Sequence, residues 1–179
     1  MSEGISQIQA AVEDFAEHVR LVLGRSENTV RAYQSDLALL TGVIDKFADF
    51  RLENLRMWLA DAVAQGKARS TLARRTASVR AFSTWAYHQG FIEADVAARL
   101  VTPKINRPLP TVVRPETAET MVSGEATDEE RASGPESLRD RAMLELLYAT
   151  GMRVGELTGL EVGDVDFGRN LAKVTGKGN

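Results

Sequence analysis

Through its first hundred residues the chain repeats apolar side chains every three or four positions and nowhere alternates them in twos. Ile8, Val12, Phe15 and Val19 form one stripe, and Val30, Tyr33, Leu37, Leu40 and Ile44 form a second. A period near 3.6 suits a helix with one buried face; a strand needs a period of two. The second helix is expected to start near Ser26, whose hydroxyl suits an N-cap. A third spans Arg51–Gln65 and stops at Gly66. A fourth starts at Ser70 and turns Leu72, Val79, Phe82, Ser83 and Ala86 toward a core, with Thr71, Arg74, Arg75 and Ser78 on a neighbouring face. A short fifth helix fits Ala94–Leu100. The expectation is a compact bundle of four to five helices.

The character then changes. Thr102–Thr111 holds Pro103, Pro108 and Pro110, which keep the backbone extended, together with Lys104 and Arg107. This reads as a linker; its cations suit a segment lying along a phosphate backbone, and a plain spacer fits equally well. Beyond it, Glu116–Val122 reads as a short helix and Gly124–Pro135 as an acidic, exposed loop. Leu138–Ala149 carries a wide apolar stripe of Ala142, Met143, Leu146, Leu147 and Ala149, ended by Gly151. A second short helix over Val154–Leu160 follows. Two β-prone runs, Val162–Phe167 and Leu171–Thr175, flank the turn Gly168-Arg169-Asn170, and Gly176–Asn179 reads as a further turn. The division is therefore a helical domain over 1–101, a linker over 102–111 and a second domain over 112–179.

Composition narrows the function classes. There is no cysteine, which excludes disulfides and thiolate metal sites. His18 and His88 are the two histidines, and neither has a ligand-like neighbour, so no metal or other cofactor is expected. No apolar run approaches the roughly 20 residues that span a bilayer, and the first residues lack the basic-then-apolar layout of a secretory signal. A cytoplasmic location without membrane attachment is expected. The net charge is −3, yet it is unevenly spread: residues 1–108 hold 14 Lys and Arg against 12 Asp and Glu, and residues 109–179 hold 8 against 13. Lys67 to Arg80 contains Lys67, Arg69, Arg74, Arg75 and Arg80 and no acid. That patch suits either a nucleic-acid contact or a solvated helix face.

Two positions could carry chemistry. Arg153 follows the helix-ending Gly151 and precedes the next short helix, so its guanidinium can point outward as a fork that matches a phosphate. Glu156 lies one turn on and can hold that fork; by itself the pair reads first as a helix-cap ion pair. Lys177 stands 24 residues after Arg153 between Gly176 and Gly178, where a hairpin tip can approach another backbone closely. A lysine there can enter a minor groove or give a proton to a leaving oxygen, or simply cover a turn.

Together these segments resemble the tyrosine recombinases of the phage integrase family, in the bacterial XerC/XerD branch, leaning to XerC. The likeness rests on Thr150-Gly151-Met152-Arg153-Val154-Gly155-Glu156-Leu157, on Leu138–Glu145 before it and on Thr175-Gly176-Lys177-Gly178-Asn179 after it. It extends upstream to Ser26-Glu27-Asn28-Thr29 with Tyr33 and Asp36-Leu37, to Ser70-Thr71-Leu72 with Arg74, Arg80-Ala81-Phe82 and Trp85, and to Pro103-Lys104 with Leu109-Pro110. It covers nearly the whole chain in order.

The resemblance implies a mainly α protein: a SAM-like helical bundle that clamps DNA, then the start of an α+β catalytic domain cut within its β-hairpin. Such enzymes cut and rejoin DNA without a nucleotide cofactor, through a 3′-phosphotyrosyl link. By position Arg153 is one of two arginines that stabilise the transition state, Lys177 the general acid and Glu156 a supporting acid. The second and fourth helices would face DNA, which makes Thr29, Arg31, Lys67, Arg69, Thr71, Arg74, Arg75 and Ser78 candidate contacts, with Lys104 and Arg107 in the linker. Implied partners are double-stranded DNA with a dif-like site, a sister recombinase in a tetrameric synapse and a septal DNA translocase, and the implied role is chromosome dimer resolution at cell division. The family's His-x-x-Arg box and late nucleophilic Tyr find no match. Tyr33, Tyr87 and Tyr148 read as packed residues, so this chain is expected to be an N-terminal part that is inactive alone. A phage or transposon integrase of the same family and a non-catalytic DNA-binding module are the alternatives.

Overall fold

The computed structural model describes residues 6–102, 112–117 and 134–176. The chain divides into two compact units, Met1–Pro108 and Leu109–Asn179.

The first unit is helical. Helix α1 (Gln7–Leu21) begins at Ser6, whose Oγ accepts the Gln9 N–H at 3.1 Å, and it buries Ile8, Ala11, Val12, Phe15, Ala16 and Val19. Helix α2 (Glu27–Thr41) packs against it. Ser26 stands at its N-cap, as its residue type suggests, but its hydroxyl lies 3.1 Å from Thr29 Oγ1 and makes no bond to the helix backbone. The turn between the two helices is clasped by Arg20, whose Nε lies 2.7 Å from Glu27 Oε1; this hydrogen bond holds the Glu27 carboxyl below the usual range. Ile44 is buried as its stripe predicts, although α2 ends before it.

Helices α3 (Leu52–Ala64) and α4 (Arg69–His88) complete the bundle. Phe82 on α4 is the hub of the core: fully buried, it meets Phe15 at 5.7 Å, Phe50 at 5.6 Å and Trp85 at 5.7 Å between ring centroids. Burying one such ring contributes about 1.5–3 kcal/mol from apolar area alone. The expected fifth helix is instead one 3₁₀ turn, Val96–Arg99. It is built by side-chain bonds: Asp95 accepts from Ser83 Oγ and Thr84 Oγ1 on α4 and from its own turn's Ala98 N–H at 3.2 Å. The Ala97 N–H donates to Ser83 Oγ at 3.2 Å. With its polar groups tied to α4, the segment has no need of a second helical turn.

In the second unit, residues 115–117 are helical, and the rest of the helix expected over Glu116–Val122 lies outside the described residues. Helix α5 (Pro135–Thr150) starts three residues before the periodic pattern does, with Pro135 in its first turn, where a missing N–H costs nothing. Gly151 ends it at φ +64° and donates its N–H to Leu147 O at 2.9 Å. None of α5 is buried among the described residues: Met143, Leu146 and Leu147 are half-buried, and Leu138, Leu144 and Tyr148 are exposed. Helix α6 (Val154–Thr158) is one turn.

The strands are shorter than their β-prone runs. Val162–Asp164 forms a 3₁₀ turn, and β1 (Val165–Asp166) pairs antiparallel with β2 (Leu171–Ala172), with Val165 opposite Ala172 and Asp166 opposite Leu171. Asp166 shapes the connection, its Oδ1 accepting the N–H groups of Gly168 and Arg169, each at 3.0 Å. Side-chain acceptance of turn amides is the reason Asp favours such positions.

Candidate active site and DNA interface

Arg153 is the residue from which α6 springs. It lies just past the left-handed Gly151, which reverses the chain out of α5, and its own backbone is extended at φ −78°, ψ 153°. Its carbonyl accepts the Glu156 and Leu157 N–H groups at 2.9 and 3.0 Å. Glu156 returns the contact twice: Oε2 accepts the Arg153 N–H at 2.8 Å, and Oε1 accepts from Nη1 at 2.9 Å. The Arg153 side chain is 79% exposed, while that of Glu156 is 12% exposed. The carboxylate is therefore the sheltered partner and the guanidinium is presented to solvent. The two bonds from Arg153, the backbone one first, hold the Glu156 carboxyl below its ordinary range.

Glu156 also lies near the segment after β2. A Cβ placed on Gly176 would lie 3.8 Å from Glu156 Oε1, an ordinary contact distance. The chain thus returns to the Arg153 box one residue before Lys177. Lys177 itself lies outside the described residues, as do Lys104 and Arg107.

The candidate DNA contacts of the helical unit separate into three groups. Arg31, Lys67 and Arg69 are exposed. Arg74 is half-exposed and paired, its Nη1 lying 2.8 Å from Asp36 Oδ2. Thr29 and Thr71 are half-buried, and Arg75 and Ser78 are buried. The expected common face of Thr71, Arg74, Arg75 and Ser78 is thus split. The Arg75 guanidinium lies over the Trp58 ring at 5.6 Å on the α3 side, and Ser78 Oγ lies 2.8 Å from Asp36 Oδ2 on the α2 side. Helix α4 is gripped on both flanks, so only a narrow sector of it remains outside.

Asp36 entered the sequence reading only as part of the second-helix pattern, with no role of its own. It is fully buried, and its signal was available: an acid between Tyr33 and Leu40, directly beside Leu37, falls on the apolar stripe rather than opposite it. A buried carboxylate needs partners. The tyrosines also differ from expectation. Tyr33 packs on Phe15 at 5.5 Å, whereas Tyr87 and Tyr148 are 45% and 59% exposed, because α4 turns Tyr87 away from its buried face and α5 turns Tyr148 away from its half-buried one. Among the described residues no group of His, Asp or Glu is arranged to hold a metal ion, and no helix is long and apolar enough to cross a membrane.

Two family models match, in order. One, described as phage integrase, N-terminal SAM-like domain, covers residues 12–90; the other, described as phage integrase family, covers residues 112–179. The chain belongs to the phage integrase family of tyrosine recombinases. Its relatives include the tyrosine recombinase XerC of Corynebacterium glutamicum, 49% identical over 97% of this chain and 55% of that protein. The XerC of Corynebacterium efficiens is 52% identical over the same shares. The XerC of Mycobacterium leprae is 46% identical over 95% of this chain and 58% of that protein. The chain thus spans rather more than half the length of these relatives. The mainly helical architecture with a SAM-like N-terminal unit follows the family.

Proposed function

We propose that this chain supplies the DNA clamp and part of the phosphoryl-transfer site of a XerC-like recombinase, which cuts and rejoins DNA at a short dif-like site to resolve chromosome dimers at cell division. In the proposed reaction a tyrosine Oη gives up its proton to solvent as it attacks the scissile phosphorus. The P–O bond to the 5′-oxygen breaks, a 3′-phosphotyrosyl link forms, and the 5′-oxygen leaves as a hydroxyl after taking a proton from Lys177. A 5′-hydroxyl of the partner strand then reverses these events. Arg153 stabilises the charge that builds on the non-bridging oxygens, and Glu156 keeps its fork in place. A sister recombinase in a tetramer, and a DNA translocase at the septum, are the partners of this reading, in the cytoplasm.

The observation that carries it is the convergence at Glu156. One carboxylate fixes Arg153 through two bonds and lies beside Gly176, the residue before Lys177 in the sequence, where an added Cβ would come to 3.8 Å from Oε1. A mere helix cap explains the two bonds and not the return of the chain to this carboxylate.

The reading further holds that none of the three tyrosines present is the nucleophile, so the 179-residue chain binds duplex DNA and does not cut it. The test is incubation of this chain with a suicide-nicked dif-like duplex. No covalent protein–DNA band, together with binding that weakens as salt rises, is expected, because phosphate contacts release counterions. A covalent band would overturn the claim of inactivity, and its loss in Tyr148→Phe would identify Tyr148 as the attacking group. Binding indifferent to salt would overturn the DNA clamp.

A further inference from the structure

We infer that Asp36 is a positioning residue that holds Arg74 ready for a DNA phosphate. The inference rests on the reading of the helical unit as a duplex clamp. Asp36 is fully buried on α2, and two successive turns of α4 reach its Oδ2: Arg74 Nη1 at 2.8 Å and Ser78 Oγ at 2.8 Å. Oδ1 has no hydrogen-bond partner among the described residues, so the carboxylate is committed through one oxygen. The Arg74 side chain is 49% exposed. It therefore runs from a buried anchor to the surface. A guanidinium offers five N–H donors in a rigid fork, and the ion pair engages it through Nη1, which leaves the opposite edge for a phosphate. An arginine free in solvent loses side-chain freedom when it binds; one already tethered loses less. The exposed Arg69, on the first turn of the same helix, makes no ion pair among the described residues and is the internal control.

The inference makes a prediction opposite in sign to simple electrostatics. Asp36→Asn removes a negative charge from beside a DNA-facing cation. If charge alone governed binding, the duplex would be held more tightly and with a steeper salt dependence. If Asp36 positions Arg74, the duplex is held less tightly, by several-fold, and the salt slope falls by about one phosphate contact, as it does in Arg74→Ala.

The experiment is a double-mutant cycle of Asp36→Asn and Arg74→Ala in the 179-residue chain, read by anisotropy of a fluorescein-labelled mixed-sequence duplex across a salt series. The double variant is expected to bind no more weakly than Arg74→Ala alone. Additive losses, or tighter binding by Asp36→Asn, would overturn the positioning role and leave the clamp intact. Failure of the unmodified chain to bind the duplex in a salt-dependent way would remove the clamp and the inference with it. Should Asp36→Asn not fold, Nε–H relaxation of the unmodified chain decides the matter. Arg74 is expected to be ordered without DNA while Arg69 is averaged, and an Arg74 as mobile as Arg69 would sink the idea.

Discussion

Glu156 holds Arg153 by its main chain and its side chain at once, accepting the backbone N–H at 2.8 Å and Nη1 at 2.9 Å. The first bond satisfies a helix-end amide and the second aims the guanidinium, so one carboxylate both starts α6 and sets its arginine. Glu156→Ala is expected to remove both and to loosen the first turn of α6. Hydrogen exchange at residues 154–158 is the measure, and unchanged protection would show that the box does not stabilise α6.

The same contact sets a pH dependence. The Glu156 carboxyl is held below its ordinary range by the Arg153 bonds. A group with a depressed folded-state pKa binds protons more readily when unfolded, so its stabilisation is fully present above the ordinary glutamate value of about 4.3 and is lost as pH falls through the lower folded value. Carbon-13 titration of the Glu156 side chain is expected to give a midpoint below that of a free glutamate. A midpoint at or above the ordinary value would mean that the bonds are not kept in solution.

Arg75 and Arg74 are neighbours in the chain with different surroundings. Arg75 is buried with its guanidinium over Trp58, so Arg75→Ala removes both a cation–π contact and the packing of the stem. A stability loss of about 1–2 kcal/mol is expected from those two terms, with the salt slope of duplex binding unchanged. Denaturant unfolding alongside the binding series checks it. A reduced slope without loss of stability would return Arg75 to the DNA surface.

Asp95 closes the helical unit by accepting from Ser83, Thr84 and the Ala98 amide. Asp95→Ala leaves the buried Ser83 hydroxyl without its acceptor and the 3₁₀ turn without its cap, at an expected cost of about 2–3 kcal/mol. Thermal unfolding by circular dichroism is the readout. A melting temperature equal to that of the unmodified chain would show that Ala97 and Leu100 hold the segment by burial alone.

Much of this was legible in the residues themselves. The stripes of α1 and α2, the stop at Gly66, and the break between α5 and α6 at Gly151 depend on local period and local backbone freedom, which a sequence carries directly. The Arg153–Glu156 pairing was legible for the same reason, since its partners are three residues apart. Non-local pairing decided the rest. Whether Arg75 and Ser78 faced DNA or the interior turned on where α2 and α3 pack against α4, because a rotation of one residue position, about 100° on a helix, separates a surface cation from a buried one. The tie between Asp36 and Ser78 spans 42 positions, so the stripe around Asp36 signals its burial but not its partner. The residues alone determined where α1 to α6 run, to within a few residues at their ends, and where the arginine box lies. Tertiary packing decided which cations of α4 remain outside, since burial of a charged group depends on the partner brought to it and not on its own place in the chain.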